Sequence, residues 1–303
     1  MQVGYTVEGG EALMEWLENL SEAIQYIENH LDQEISYEEA ARIACCSTYY
    51  FQRMFSYVAG IPLSEYIRRR RMTQAAFELN QGSCKVLDVA LKYGYTSPTS
   101  FHRAFQSVHG ITPAAAKKLG APLHAYPAIS FSIQITGGSA MPYHLREHKP
   151  FRIVGIRIPL QENMEENQRR IPKFWQEILR GSQFTDLCAL ADSAEKSIMG
   201  ISVYEDPAHI YYYIGVESTQ EVPEGMFELH LPSALWAVFV NEGKMKEDVQ
   251  EVFRRFYTEW LPFSGYEYAR IPDLEVYPIY KDKPLNGHSE VWIGIRKKKK
   301  SHV

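Results

Sequence analysis

Residues 47–55 read STYYFQRMF, and residues 97–105 read SPTSFHRAF. Both segments follow the frame Ser-x-x-x-Phe-x-Arg-x-Phe, and the second starts fifty positions after the first. In each segment the serine predicts a helix N-cap, and the two phenylalanines four residues apart predict one buried helix face. The same offset relates Ala40 to Ala90 and Val58 to Val108. The N-terminal part of the chain therefore predicts a duplicated helical unit.

The surroundings of the two segments indicate what this unit is. Each is preceded by a short predicted helix and a tight turn, which is the order of a helix-turn-helix. Ser36 and Glu39 predict a capping box before the first short helix, and Ser83 is expected to cap the second. A predicted helix over residues 63–79 joins the copies, and an amphipathic helix over 11–31 precedes them. We predict an all-α domain with two helix-turn-helix subdomains, whose second helices lie about 34 Å apart, one turn of DNA.

The charges of the chain are unevenly distributed. Residues 1–39 hold ten Asp or Glu and no Lys or Arg, whereas residues 40–118 hold eleven basic and three acidic residues, a net charge of +8. Residues 119–303 hold twenty-one basic and twenty-four acidic residues, a net charge of −3. A basic segment between acidic ones predicts that residues 40–118 are the part that meets a polyanion.

The exposed sides of the two second helices carry residue types that can read DNA. Arginine pairs well with guanine and glutamine with adenine, while tyrosine and small hydroxyls suit thymine methyls and phosphates. The predicted contacts are Thr48, Tyr49, Gln52 and Arg53 on the first helix and Thr99, Ser100, His102 and Arg103 on the second. A structural role for Arg53 and Arg103 is the alternative. From the run Arg68–Arg71 we expect one or two phosphate contacts, because some of the four must face the protein.

Two longer segments resemble a known family. Residues 94–113, GYTSPTSFHRAFQSVHGITP, resemble the signature of AraC/XylS-type transcriptional regulators, and residues 35–72 resemble the first helix-turn-helix of that family. The resemblance covers about residues 20–118. It implies a seven-helix module that binds double-stranded DNA as a monomer, with RNA polymerase as a further candidate partner. Pro98 departs from the family pattern at a position where longer side chains reach DNA, so base readout by this residue is not expected.

After residue 128 the pattern changes from helices to strands. Strands are predicted at 151–160, 197–204, 209–217, 234–240, 273–279 and 290–295, and helices at 164–180 and 245–260. Strand–helix–strand–strand occurs twice, which predicts an α+β domain with an antiparallel sheet and a duplicated unit. We therefore divide the chain into a DNA-binding domain (1–118), a Pro- and Ala-containing linker (119–141) and a strand-rich α+β domain (142–298).

The strands alternate between an aliphatic side and a side that combines aromatic residues with carboxylates. The aliphatic sides are expected to pack on the helices. Aromatic walls with an acid suit a cationic or amphipathic small molecule, and an outer sheet face without a ligand is the alternative. The predicted ligand-binding residues are Glu275, Tyr277, Tyr211, Tyr213, Trp292, Glu290 and Trp236.

This second part also resembles a known family. Residues 236–243 (WAVFVNEG), 256–269 (FYTEWLPFSGYEYA) and 273–279 (DLEVYPI) are similar to the GyrI-like effector-binding domain. Members bind hydrophobic cations and other drugs, and a glutamate is the usual anchor, which makes Glu275 the best match and Glu290 the second. Some relatives hydrolyse small electrophiles, so an enzyme with Glu275 and a tyrosine as base and proton donor is one alternative. A domain that docks another protein is the other.

Several features argue against other classes of function. HLREH (144–148) fits the inverted zinc motif H-x-x-E-H, but it lies between two prolines and not on a predicted helix, so we expect no metal site there. We also expect no cofactor and no catalytic residues. The tail RKKKK (296–300) predicts a solvated end or an aid to DNA binding. The cysteine spacing predicts thiols in a reducing cytoplasm. Neither a membrane-spanning run nor a secretory leader is visible. We expect a cytoplasmic regulator and not an enzyme.

Overall fold

A computed structural model describes residues 10–82, 84–131, 140–161, 164–204, 210–241, 247–280, 283–284 and 288–298. Ser83, the end of the basic tail, and parts of the predicted linker and of the predicted segments 209–217 and 245–260 lie outside the described residues. The chain divides into a helical unit, Glu11–Ile135, and a strand-rich unit, Thr136–Val303. Each unit is described by itself.

The helical unit contains seven helices within its described residues, as the family resemblance implies. They are α1 (Gly10–Asn29), α2 (Tyr37–Ile43), α3 (Thr48–Ala59), α4 (Leu63–Asn80), α5 (Val86–Lys92), α6 (Pro98–His109) and α7 (Pro113–Ala116). α2 and α3 form the first helix-turn-helix, α5 and α6 form the second, and α4 joins them. Ser47 and Ser97 cap α3 and α6, because their hydroxyls accept from the backbone N–H groups of Tyr50 and Ser100 at 3.3 and 3.4 Å.

The repeated phenylalanines form the cores under α3 and α6. Phe51, Phe55, Phe101 and Phe105 are each at most 1% exposed, which confirms the predicted buried faces. Only half of the predicted capping box is present. Ser36 accepts from the N–H of Glu39 at 3.1 Å, but the Glu39 carboxylate pairs with Arg42, one turn further on, and does not reach back to Ser36. A cationic side chain within reach is the stronger partner for that carboxylate.

The predicted linker is tied to the helical unit over its described part, here called the strap (residues 119–131). The N–H of Tyr126 donates to Thr73 Oγ1 at 3.1 Å, and the N–H of Ile129 donates to Tyr66 Oη at 3.2 Å. The Tyr126 side chain packs against the core formed by α4, α5 and α6. The proline and alanine content of this segment predicted a plain linker, but composition does not reveal which side chains will accept its backbone N–H groups.

A buried ion pair joins α1, α4 and the strap. The side chains of Arg70 and Glu28 are 9% and 13% exposed, and Arg70 Nη2 lies 2.7 Å from Glu28 Oε2. Tyr66 Oη donates to the other carboxylate oxygen of Glu28 at 2.7 Å, and Arg70 also donates to the backbone carbonyl of Tyr126. The hydrogen bonds to Glu28 raise the pKa of Arg70, and burial raises the pKa of Tyr66. Arg70 therefore stays charged and Tyr66 stays a donor.

The other arginines of the α4 run also have protein partners. Arg68 donates to Glu65 at 2.7 Å and to Ser107 Oγ at 2.6 Å, and Arg69 also pairs with Glu65. Arg71 donates to two backbone carbonyls after α1. The side chains of Arg68 and Arg69 are about one third exposed, at 36% and 33%. The expected phosphate contacts remain a prediction for the partly exposed Arg68, Arg69 and Arg71, because Arg70 is buried.

The strand-rich unit has ten strands and three α-helices among its described residues. They are β1 (Tyr143–His148), β2 (Phe151–Pro159), α8 (Met164–Arg180), α9 (Gln183–Leu190), β3 (Ser197–Tyr204), β4 (Ile210–Glu217), β5 (Phe227–Leu231), β6 (Ala234–Asn241), α10 (Glu247–Arg255), β7 (Tyr266–Tyr268), β8 (Leu274–Tyr280), β9 (Lys283–Pro284) and β10 (Ser289–Lys297). α10 continues as a π-helical turn, Phe256–Trp260. In the described part of the chain, no helix is both long and apolar enough to cross a membrane.

The sheet shows the predicted duplication. Its order is β1-β6-β10-β8-β3-β4-β2-β5, with antiparallel neighbours, and β7 and β9 add to β10 and β8. The units β2–α8–β3–β4 and β6–α10–β8–β10 each contribute three strands in equivalent order, and they meet where β3 pairs with β8. The prediction of two strand–helix–strand–strand units in an α+β domain is confirmed.

The two halves also exchange a strand. β1 leads directly into β2 but pairs with β6, and β5 leads directly into β6 but pairs with β2. The ends of the sheet therefore come together, and Leu231 of β5 and Trp236 of β6 belong to one buried cluster. β1, β5 and α9 could not be predicted from the sequence, because these elements are short and their partners are distant in sequence.

The sheet has two buried faces with different contents. The register places Glu275 beside Gly200 and Gly200 beside Ile214, so these three residues share one side of the sheet. This side packs on α8 and α9 and is here called the helix face. Leu274 lies beside Ile201 on the opposite side, here called the inner face. Aliphatic residues of β8 were expected on the helices but lie on the inner face, so that expectation is corrected.

Candidate nucleic-acid interface and ligand site

The second recognition helix, α6, presents its predicted contact residues to solvent. Thr99, Ser100, His102 and Arg103 are all exposed, and the two phenylalanines on the opposite side are buried. Pro98 occupies the first turn, where its missing N–H leaves no hydrogen bond unmade. α6 is therefore a capped, well-packed helix with a polar outer face.

The first recognition helix, α3, differs from this prediction. Thr48 and Tyr49 are half-buried, and Gln52 and Arg53 are only 5% and 6% exposed, where both were expected on an open face. Arg53 lies along its own helix toward Tyr57, one turn further on, with its Nε 3.5 Å from Tyr57 Oη and its guanidinium carbon 5.6 Å from the centre of that ring. Helical periodicity identifies the apolar side of α3. It does not predict whether the long polar side chains on the other side, such as Gln52 and Arg53, are exposed or buried.

The segment HLREH is the edge strand β1 and not a helix. His144 and His148 are four residues apart, which is about 13 Å along a strand, too far to share one metal ion. The Nδ1 atom of His148 is hydrogen-bonded to the carbonyl of Lys149 at 2.8 Å. Within the described residues no group of three potential metal ligands lies together.

Glu275 lies in a hydrogen-bonded aromatic group on the helix face, here called the Glu275 site (Trp175, Tyr212, Glu275 and Tyr277). The hydroxyls of Tyr277 and Tyr212 both donate to Glu275 Oε2, at 3.0 and 3.4 Å. Trp175 Nε1, on α8, donates to Tyr212 Oη at 2.8 Å, and the Trp175 ring lies edge-on to Tyr277 with 5.2 Å between centres. Donors that converge on a carboxylate favour its charged form, and this carboxylate lies among aromatic rings.

The two tyrosines of this site remain neutral donors. Burial raises the pKa of both phenols, and the neighbouring Glu275 carboxylate raises each further. A phenol whose pKa is raised does not ionise near neutral pH. Both phenols therefore keep the protons that they donate to Glu275.

Gly200 makes the room that this arrangement needs. A Cβ atom at position 200 would lie 2.2 Å from Tyr212 Oη and 3.0 Å from Trp175 Cζ2. Side-chain carbons do not approach that closely, so only glycine lets the Tyr212 phenol cross β3 toward Glu275. Sequence reasoning did not select Gly200, Tyr212 or Trp175, although an isolated glycine inside a strand often marks such a close approach.

The predicted ligand-binding residues are divided between the two faces. Glu275 and Tyr277 belong to the helix face, whereas Tyr211, Tyr213, Trp236, Trp292 and Glu290 belong to the inner face. On the inner face, Trp292 Nε1 donates to Glu290 Oε2 at 2.7 Å. Alternation within a strand defines two sides, but only the register between strands decides which sides combine. The single binding surface expected from sequence is thus two surfaces.

Comparisons with known proteins match both units. Residues 144–295 match a family described as an integron-associated effector binding protein, and residues 40–118 match a helix-turn-helix domain. The HTH-type transcriptional activator AarP of Providencia stuartii is 39% identical over 95 residues, 31% of this chain and 70% of that one. The right origin-binding protein of Escherichia coli is 27% identical over 290 residues, 90% of this chain and 96% of that one. A solved structure, SAV2435 bound to tetraphenylphosphonium, is 20% identical with a TM-score of 0.46, covering 52% of this chain and 94% of that one.

Proposed function

Because the chain belongs to the AraC-type helix-turn-helix transcriptional regulators and carries a C-terminal effector-binding domain of the Cass2 and GyrI-like kind, we propose that a hydrophobic organic cation bound at the Glu275 site controls its activity. The observation that carries the proposal is the carboxylate of Glu275 held among three aromatic side chains by hydrogen-bond donors. The relatives are regulators, and we propose that this chain likewise has no enzymatic activity.

The helical unit is the part that we assign to DNA binding. The net charge of residues 40–118, +8, favours a polyanion. α6 offers exposed hydroxyl, imidazole and guanidinium groups at one helix face, and α4, with its eighteen residues, spans about 27 Å at 1.5 Å per residue. That length suits two recognition helices in successive major grooves. We keep Thr48, Tyr49, Gln52 and Arg53 as contacts of α3, which requires Gln52 and Arg53 to become accessible when DNA binds.

Arg103→Ala is expected to weaken binding to the chain's own operator by about 1–3 kcal/mol, because an arginine that pairs with guanine reads sequence. Fluorescence anisotropy at fixed salt measures this against operator and scrambled duplexes. Lys196→Ala, an exposed cation of the strand-rich unit, is the control and should bind as the wild type does. An equal loss on both duplexes would assign Arg103 to a phosphate and contradict base reading.

The Glu275 site is suited to a cation for two reasons. A carboxylate near aromatic walls attracts positive charge directly, and the rings add a cation–π contribution of about 0.5–2 kcal/mol. The two tyrosine hydroxyls already donate to the carboxylate, and Trp175 donates to Tyr212. A ligand without hydrogen-bonding groups therefore leaves none of these donors unpaired. A hydrophobic cation fits this chemistry better than a small ammonium ion does.

Glu275→Gln is expected to weaken tetraphenylphosphonium binding about tenfold, or ~1.4 kcal/mol, because the variant keeps the shape and removes the charge. Quenching of tryptophan fluorescence or calorimetry measures the affinity. Triphenylphosphine oxide, which is uncharged, should lose less. Glu290→Gln changes the carboxylate of the inner face and serves as the matched control. Unchanged cation binding by Glu275→Gln would remove Glu275 from this role.

The remaining assignments follow from a regulator's task. We propose a cytoplasmic location, contact with RNA polymerase, and the domain limits 1–118 and 142–298 with 119–141 between them. The hydrolase alternative is tested by the same samples, since turnover of an electrophilic ester, lost in Glu275→Gln, would favour an enzyme. Saturable binding without turnover supports the regulator.

A further inference from the structure

Several aromatic side chains of the inner face are already paired with cations of the chain itself. The guanidinium carbon of Arg157 lies 4.0 Å from the ring centre of Tyr211 and 4.1 Å from that of Phe227. Arg146 lies in the same way 4.8 Å from the Trp292 ring. A ring that faces a guanidinium cannot accept a second cation at that position without displacing the first. The inner face is therefore poorly suited to the ligand class that fits Glu275.

Arg157 differs from Arg146 in its polar partners. Arg146 pairs with Glu195 at 3.1 Å, whereas no carboxylate lies within ion-pair distance of Arg157 in the part of the chain that the structure describes. The polar contact of Arg157 there is one hydrogen bond, from Nη1 to Tyr213 Oη at 2.7 Å. An arginine has five N–H donors. Most of its N–H donors therefore have no acceptor among the described residues, and its positive charge has no carboxylate partner there.

The position of Arg157 makes it reachable. It lies on β2 opposite Tyr213 of β4, its side chain is half-buried, and Phe227 beside it is 40% exposed. The two rings hold the guanidinium plane in place, so less freedom is lost when a ligand binds its edge. Trp236 also belongs to the inner face and is fully buried, and its Nε1 has no acceptor among the described residues. Arg157 and Trp236 thus both offer N–H donors on the inner face.

We propose that the inner face holds a second ligand site, anchored by Arg157, for an organic anion with a flat apolar body. A carboxylate matches the fork of the guanidinium and forms two charge-assisted hydrogen bonds with it. The apolar body of the ligand lies against Tyr211 and Phe227. The effector-binding unit then has two sites of opposite charge preference, one on each side of its sheet: Glu275 for cations and Arg157 for anions.

Titration of the full chain with 2-naphthoate tests this proposal, with 2-naphthamide as the uncharged analogue. Naphthoate is expected to bind and to shift the Nε–Hε resonance of Arg157, and Arg157→Gln should weaken its binding about 10- to 100-fold. Naphthamide should bind the wild type more weakly than naphthoate does. Arg157→Lys, which keeps the charge and loses the fork, should fall between wild type and Arg157→Gln.

Two controls separate this site from general electrostatics and from the Glu275 site. Arg254→Gln removes an exposed arginine that pairs with Glu251, and it should bind naphthoate as the wild type does. Glu275→Gln should also leave naphthoate binding unchanged. The anion site at Arg157 is therefore tested independently of the proposed cation site at Glu275. Equal binding of naphthoate to wild type and to a folded Arg157→Gln, or equal binding of naphthoate and naphthamide, would overturn the proposal.

Discussion

Glu28→Gln is expected to lower the free energy of unfolding of the helical unit by about 3–5 kcal/mol. Glu28 is the acceptor for both Arg70 and Tyr66, and its substitution leaves a buried guanidinium without its counter-charge. The loss also loosens the strap, because Arg70 and Tyr66 each hold a backbone group of that segment. Urea denaturation of the full chain, followed by circular dichroism at 222 nm, measures the change.

Glu39→Gln is the matched control for this prediction. Its partner Arg42 is 72% exposed, and such a surface pair contributes less than about 1 kcal/mol. The double variant Glu28→Gln with Arg70→Met should regain part of the stability, because the unpaired charge is removed together with its partner. If Glu28→Gln were no more destabilising than Glu39→Gln, the pair would not be a stabilising contact of this fold.

Gly200→Val is expected to destabilise the strand-rich unit by about 3 kcal/mol, the upper range for overpacking a core. Valine has a higher strand propensity than glycine, so propensity alone would stabilise the variant. A loss of stability would therefore come from the side-chain clash and not from the backbone. The added carbons would meet Tyr212 Oη and Trp175, which cannot leave without breaking the hydrogen bonds that lead to Glu275. We therefore also expect loss of tetraphenylphosphonium binding, measured by calorimetry on the folded fraction.

A pair of smaller substitutions examines the cause. Gly200→Ala should also lower the free energy of unfolding, by less than Gly200→Val does. The double variant with Tyr212→Phe should recover part of that loss, because it removes the hydroxyl nearest the new Cβ. Tyr212→Phe alone should cost about 0.5–1.5 kcal/mol, the contribution of an ordinary hydrogen bond. Recovery in the double variant shows that Tyr212 and position 200 compete for one space; additive losses would contradict this.

The elements that could be predicted from sequence are those that depend on nearby residues. Ser47 and Ser97 cap helices through N–H groups three positions away, and the paired phenylalanines follow from helical periodicity. The duplicated strand–helix–strand–strand order could also be predicted, because each strand and helix is long enough to carry its own pattern. Glu275 and Tyr277 were selected correctly as neighbours on one side of β8.

What could not be predicted depends on contacts between distant segments. Trp175 reaches Tyr212 only because α8 packs on the sheet, and the strap follows α4 because Tyr66 and Thr73 accept its backbone N–H groups. The division of the aromatic residues between two faces depends on the register of β3 with β8. A shift of one residue in that register would have placed Glu275 with Tyr213, and the sequence of β8 alone does not exclude it.

The exchange of β1 and β5 between the two halves is the pattern of a swapped homodimer contained in one polypeptide. Such a chain can arise when the gene of a dimer-forming half is doubled and fused. After fusion neither half retains its own outer strand, so neither can be deleted or replaced separately. The Glu275 site has the same composite origin, since its carboxylate comes from the second half and its tryptophan from the helix of the first. The Glu275 site thus takes its acid from one half only, although the sheet is built from two equivalent halves.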